Sequence, residues 1–162
     1  MYRLPDSHRK KLLEQLKRHE GAKRNKDGGH IAYRCPAGAL TIGYGHNLDA
    51  NPIPGLSADS VISEQRACEI LAADVAAIAE RLESGGYPWF LYLSPERRAV
   101  LLNMSFNLGI SGLLGFRNTL ADICAGNYAS AAGRMLQSKW AQQVGARARE
   151  LARQMEHGAW QF

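Results

Sequence analysis

Residues 33 to 47 read Tyr33-Arg34-Cys35-Pro36-Ala37-Gly38, then, after two residues, Thr41-Ile42-Gly43-Tyr44-Gly45-His46-Asn47. Glycines set among aromatic and β-branched residues favour short strands and tight turns over helix. Two strands are predicted near 31–34 and 39–43, joined by the Pro36-Ala37-Gly38 turn. On either side the pattern is helical. Ser7 is predicted to cap a helix running to about residue 20, with Leu12, Leu13 and Leu16 as its apolar stripe. Downstream, Cys68, Leu71, Val75, Ile78 and Leu82 alternate at steps of three and four, the mark of a long amphipathic helix starting at Ser63. Gly85-Gly86 then breaks it.

Ser94-Pro95-Glu96 supplies a capping hydroxyl, a proline at the first helical position and an acid in the first turn. The helix it opens carries Val100, Leu101, Met104 and Leu108, with Gly109 placed to end it. Further helices are expected near 116–125, 127–137 and 145–156. The fold class is therefore α+β, with two lobes in a single domain over 1–162. A small α+β lobe spans about 21–60, including a turn at 25–29 and a two-proline loop at 47–55. A larger helical lobe takes in 61–162 and the first helix. A 46% hydrophobic share over 162 residues is enough to build such a core.

Glu20 lies eight residues after Leu12 and four after Leu16, on the same stripe. A partly buried carboxyl there would have the raised pKa that a general acid needs at neutral pH. The plainer alternative is an exposed carboxylate at a frayed helix end. Three cysteines, Cys35, Cys68 and Cys124, fit no zinc module and no disulfide framework. Cys68, in helical apolar register, and Cys124, beside Ile123, are expected to be small buried hydrophobes. Cys35, His30 and His46 have no ligand spacing, so neither metal nor other cofactor is expected. Asn103 and Asn107 lie on an otherwise apolar helix beside Phe106, which is assigned to the core. The asparagines either face a cleft and bind sugar amides or satisfy buried backbone groups. The run from Arg147 to Arg153 alternates charge as a solvated helix face does.

The ordered set His19-Glu20-Gly21, Tyr33, Gly38, Thr41 to Asn47, Ser63-Glu64-Gln65-Arg66-Ala67, Asp74-Val75, Ala99 to Gly109, Gly115-Phe116 and Trp140 resembles the phage T4-type lysozyme (endolysin) family over most of the chain. The resemblance implies a lysozyme-like fold with a long helix between the lobes, and a substrate of peptidoglycan glycan strands. The bond cleaved would be the β-1,4 link between N-acetylmuramic acid and N-acetylglucosamine. Glu20 matches the family's general acid and Thr41 the residue holding the attacking water, although a β-branched residue also suits a strand for structural reasons alone. Cys35 stands where the family's usual pattern has an aspartate. A thiol is mostly neutral at pH 7 unless its pKa is lowered. Three possibilities stay open: Cys35 acts as thiolate, Asp27 or Asp49 replaces it, or there is no second group. By the same resemblance Arg147 partners Glu20. His46 is structural or forms a hydrogen-bonding floor.

The rival enzymatic reading is a lytic transglycosylase, and a rival of another class is a catalytically dead wall-binding module. A net charge of +5 suits anionic cell wall, while no aromatic interleaving or motif points to nucleic acid. No apolar run approaches the roughly 18 residues that span a bilayer, and the first residues lack a signal's apolar core. The chain is expected to be made in the host cytoplasm, to act as a monomer without stable membrane insertion, and to reach the wall in the periplasm through a holin pore.

Overall fold

A computed structural model describes residues 2–162. The elements run α1 (Asp6–Glu20), β1 (His30–Ile31), β2 (Tyr33–Arg34), β3 (Leu40–Ile42), β4 (His46–Asn47), β5 (Val61–Ile62), α2 (Glu64–Ser84), α3 (Pro88–Tyr92), α4 (Pro95–Leu114), α5 (Arg117–Cys124), α6 (Tyr128–Gln137), α7 (Lys139–Val144) and α8 (Ala146–His157). Two compact units emerge: one comprises Lys10–Ala77, the other the chain up to Arg9 together with Ile78–Phe162. The chain passes between them inside α1 and inside α2.

In the Lys10–Ala77 unit all strand pairs are antiparallel. The predicted 31–34 strand is divided: Ile31 pairs with Val61, whereas Tyr33 pairs with Thr41. That makes a two-stranded sheet β1-β5 and a three-stranded sheet β2-β3-β4. The predicted turn is present, with the Gly38 N–H donating to the Cys35 carbonyl at 2.8 Å and the Cys35 N–H to the Ala39 carbonyl at 2.9 Å. Gly38 has φ +86, the left-handed conformation that closes a three-residue hairpin loop and that glycine adopts without strain. Helix α1 starts at Asp6, with the Pro5 carbonyl accepting from His8 and Arg9, so Ser7 sits inside the first turn instead of capping it. Leu12 and Leu16 are fully buried, but Gln15 takes the third buried place expected for Leu13, which is half-buried.

The β3–β4 hairpin is held onto α2. Gly43 has φ +63, and a Cβ built there would meet the Ala67 Cβ at 3.4 Å, so the backbone passes close against the helix. His46 Nδ1 lies 2.7 Å from Asp74 Oδ2 on α2, and Nε2 lies 2.8 Å from the Asn51 carbonyl. The Asp74 hydrogen bond raises the His46 pKa; burial opposes it, and the Asn51 carbonyl and the Asp74 charge add to the rise. His46 thus links the hairpin to α2 and to the 47–55 loop.

In the other unit, Ser94 caps α4 by accepting from the Arg97 N–H, as predicted. Gly109, expected to end that helix, breaks its regular dihedrals (φ 75, ψ 160), and helical structure resumes to Leu114. Ala99, Val100, Leu101, Leu102 and Met104 are buried, and Phe106, assigned to the core, is only half-buried. Helix α6 packs on α5 and α8 through Ala131, Ala132 and Met135. The Arg97 guanidinium donates to the carbonyls of Met155 (2.7 Å) and Glu156 (2.9 Å), satisfying the end of α8, and stacks 3.6 Å from the Tyr128 ring centre. Cys124 is exposed, contrary to expectation, because Thr119, Leu120 and Ile123 take the buried side of the short α5.

A histidine whose folded pKa is raised contributes stability that is complete below its unfolded pKa and is lost as pH rises through the folded value. Stability of the wild type to urea is therefore expected to weaken as pH rises above the ordinary histidine value of about 6.5, and His46→Asn to lose that slope while being less stable at the acid end. Parallel slopes in the two proteins would refute the linkage.

Candidate active site

Strand register decides which side chains share a face. Tyr33 pairs with Thr41, so both project from one side of the β2–β3 ladder, and Cys35, two residues past Tyr33, shares their parity. Arg34 lies on the opposite side, where its guanidinium donates to the Gly38 carbonyl (3.0 Å) and to Asp49 Oδ2 (3.2 Å). Asp49 also accepts from the Leu40 N–H at 2.9 Å. One of the two alternative acids is therefore held by its own hairpin. Asp27, the other, is exposed in the turn organised by Asn25, whose side-chain oxygen accepts from the Asp27 and Gly29 N–H groups.

Cys35 opens the hairpin turn, and the polar groups of that turn act on its thiol. The Ala39 N–H is the largest influence lowering the thiol pKa; slight burial opposes it, and the Ala37 N–H, the Thr41 hydroxyl and the Gly38 N–H add to the lowering. Backbone donors converging on one point make a small anion-binding nest. The Thr41 hydroxyl has a single proton and also sits 3.0 Å from the Ala39 carbonyl. Donation to Ala39 and donation to the sulfur are therefore alternatives, and turning the hydroxyl switches between them. Thr41 is itself buried.

Glu20 is the last residue of α1. Gly21, at φ +63, stops the helix there, its N–H returning to the Lys17 carbonyl at 3.0 Å. The carboxyl is half-buried. Tyr33 connects it to the hairpin: burial pushes the Tyr33 phenol up, and the charges of Glu20 and then Cys35 push it further. Both groups therefore act on the same phenol. Glu20, Cys35 and Thr41 all belong to this unit, and Tyr33, whose part sequence reasoning missed, feels the charges of both Glu20 and Cys35. Its two-residue spacing from Cys35 was the available signal.

The remaining candidates fall into separate places. His46 is engaged with Asp74 and Asn51. Asn103 and Arg147 meet in the helical unit, where the guanidinium donates to Asn103 Oδ1 at 3.0 and 2.8 Å. Arg147 is buried at 8% exposure, not on a solvated face. Asn107 is exposed and accepts from the Trp140 indole N–H at 2.7 Å. Cys68 is half-buried, and its thiol donates to Glu64 at 3.2 Å instead of sitting inert in the core. Among the described residues, no group of three or more His, Cys, Asp or Glu side chains is arranged to hold a metal ion.

An acid at a helix end, in the same unit as a thiol whose ionisation the turn amides favour, has the composition of a glycosidase centre, which pairs a proton donor with a stabilising anion. The model of the phage lysozyme family matches residues 17–157, and the chain belongs to that family. Its α+β scaffold is lysozyme-like, the enzyme type is a glycosidase, and the substrate class is peptidoglycan. No single helix among the described residues is long and apolar enough to cross a membrane.

With its pKa lowered, Cys35 is expected to react with iodoacetamide faster at neutral pH than Cys124, whose thiol burial pushes up. Mass mapping of the alkylated cysteines over time gives the order. Equal or inverted rates would contradict the backbone-stabilised thiolate.

Proposed function

We propose that this chain is an endolysin that hydrolyses the β-1,4 bond between N-acetylmuramic acid and N-acetylglucosamine in peptidoglycan. Glu20 donates its proton to the glycosidic oxygen as the bond to the anomeric carbon breaks. Cys35, as thiolate, faces the positive charge that develops on the sugar ring or attacks the anomeric carbon. Thr41 orients the water that completes the reaction, and its proton returns to the Glu20 carboxylate. The observation that carries this reading is the Cys35 turn: three backbone N–H groups and the Thr41 hydroxyl favour a negative charge on the sulfur. A neutral thiol would have little to offer an oxocarbenium ion.

The supporting residues are assigned on chemistry. Asn103 and Asn107 carry amides suited to N-acetyl groups, Arg147 supplies a buried cation, and His46 keeps the hairpin in place. Host lysis as the biological role, release through a holin pore into the periplasm, and action as a monomer without nucleic acid complete the proposal.

Turbidity clearance of outer-membrane-permeabilised cells tests it. Glu20→Gln is expected to lose about 10²-fold or more of activity. Cys35→Ser is expected to be largely inactive and Cys35→Asp to recover, with its acid limb moved to lower pH because a carboxyl ionises below a thiol. Full activity in Cys35→Ser would remove the thiolate from the mechanism. Product mass spectrometry is expected to give reducing ends; 1,6-anhydro ends would make the enzyme a transglycosylase.

A further inference from the structure

Glu64, the first residue of α2, gathers donors from five places in the Lys10–Ala77 unit. Its Oε1 accepts from Lys17 Nζ (3.3 Å), the Cys68 thiol (3.2 Å) and the Tyr44 hydroxyl (2.9 Å). Its Oε2 lies 2.7 Å from His30 Nε2, 2.8 Å from Arg24 Nη2 and 3.0 Å from the same Tyr44 hydroxyl. His30 is wholly buried and its Nδ1 has no partner, so Nε2 is the nitrogen that carries the proton toward Glu64. Arg24 also donates to the Tyr44 hydroxyl at 3.0 Å and to the Gly28 carbonyl at 3.1 Å. The His30 ring meets Tyr44 edge-on at 5.0 Å, and Lys17 Nζ stands 5.5 Å from the Tyr44 ring centre.

Sequence distance turns this cluster into a statement about the active site. Lys17 is three residues before Glu20 on α1, so holding one holds the other within a single helical turn. Tyr44 is three residues past Thr41 on the chain that also bears Cys35, and His30 is three before Tyr33. We propose that Glu64 is a positioning residue for the reaction, its carboxylate fixing the Glu20 end of α1 relative to the hairpin that carries Cys35 and Thr41. The inference rests on the glycosidase reading above.

Two features separate this role from simple stabilisation. The Glu64 side chain is 44% exposed, and ion pairs at such exposure contribute little to folding. Yet the carboxylate is the shared counter-charge of Lys17 and Arg24, which would repel one another without it. Its removal therefore moves both the end of α1 and the loop, with a small cost in global stability. Burial works against its ionisation, but the donors from His30, Cys68, Tyr44 and Arg24 overcome that and hold the carboxyl well below the usual range. It stays charged at any pH at which the enzyme is assayed. Small displacements of reacting groups are costly in rate, on the order of 10²-fold for 1 Å.

The experiment compares kcat and KM on dye-labelled peptidoglycan for the wild type, Glu64→Gln, Glu64→Asp, Lys17→Met and Glu20→Gln, well below each protein's melting temperature. Glu64→Gln is expected to lose about tenfold to a hundredfold in kcat with KM nearly unchanged, and Glu64→Asp to restore part of it. Lys17→Met, which cuts only the α1 tether, is expected to lower kcat in the same direction; it carries the test alone if Glu64→Gln does not fold. A folded Glu64→Gln, or failing that Lys17→Met, with kcat within about twofold of wild type overturns the positioning role. An inactive wild type, or an active Glu20→Gln, overturns the glycosidase reading itself, which is a different result.

Discussion

His46 faces an acceptor at each ring nitrogen, the Asp74 carboxylate on one side and the Asn51 carbonyl on the other. A neutral imidazole has one N–H and can satisfy only one of them; the imidazolium satisfies both. In a buried setting a charged ring is tolerable only because Asp74 lies 2.7 Å away. The same ring therefore holds the β3–β4 hairpin to α2 and the 47–55 loop to the hairpin. Thr41, the Cys35 turn and Tyr33 all follow from where that hairpin is held, since they are linked to it by strand register alone.

The chemistry of the hairpin turn is a substitution of one source of negative charge for another. A carboxylate brings its charge with it, whereas a thiol must be given one by its surroundings. Here the surroundings are backbone amides made available by the turn that Pro36 and Gly38 impose, so the loop geometry and the sulfur's ionisation are a single property. Arg34, the nearest cation in sequence, is on the other face with Asp49 and takes no part. The dipoles of a tight turn act on the thiol where a neighbouring charge is absent.

What was legible in the sequence is what is local. The hairpin follows from Pro36-Ala37-Gly38, the long α2 from steps of three and four, and the α4 start from Ser94-Pro95-Glu96. Strands β4 and β5 are two residues each, and α3 and α7 are five and six, too short for any periodicity to register. Cys68 and Cys124 were misplaced for related reasons. Helical spacing says that a residue is near a buried stripe, but not that a carboxylate one turn earlier will accept a hydrogen bond from it, as Glu64 does from Cys68. Glu20 was expected with the helical lobe and Cys35 and Thr41 with the small one, whereas all three fall within Lys10–Ala77; the Glu64 cluster was not foreseen either. Its members come from α1, a loop, β1, the hairpin and α2, and no linear pattern joins them.

Along α2 the attachments of the hairpin fall on one stripe: Glu64 to Tyr44, Ala67 to Gly43, and Asp74 to His46. Ten residues of helix separate the first from the last, about 15 Å at the usual rise. A hairpin held at one of these points could pivot about it; held at both ends with backbone contact between, it cannot tilt along the helix without breaking a charged hydrogen bond. The middle contact sets the depth, and the positive φ of Gly43 suits glycine there. The end contacts set the angle. Lys17 then adds a tether to the Glu64 end, off the hairpin, so that the one carboxylate closing the row on α2 also reaches back to the helix that ends in Glu20.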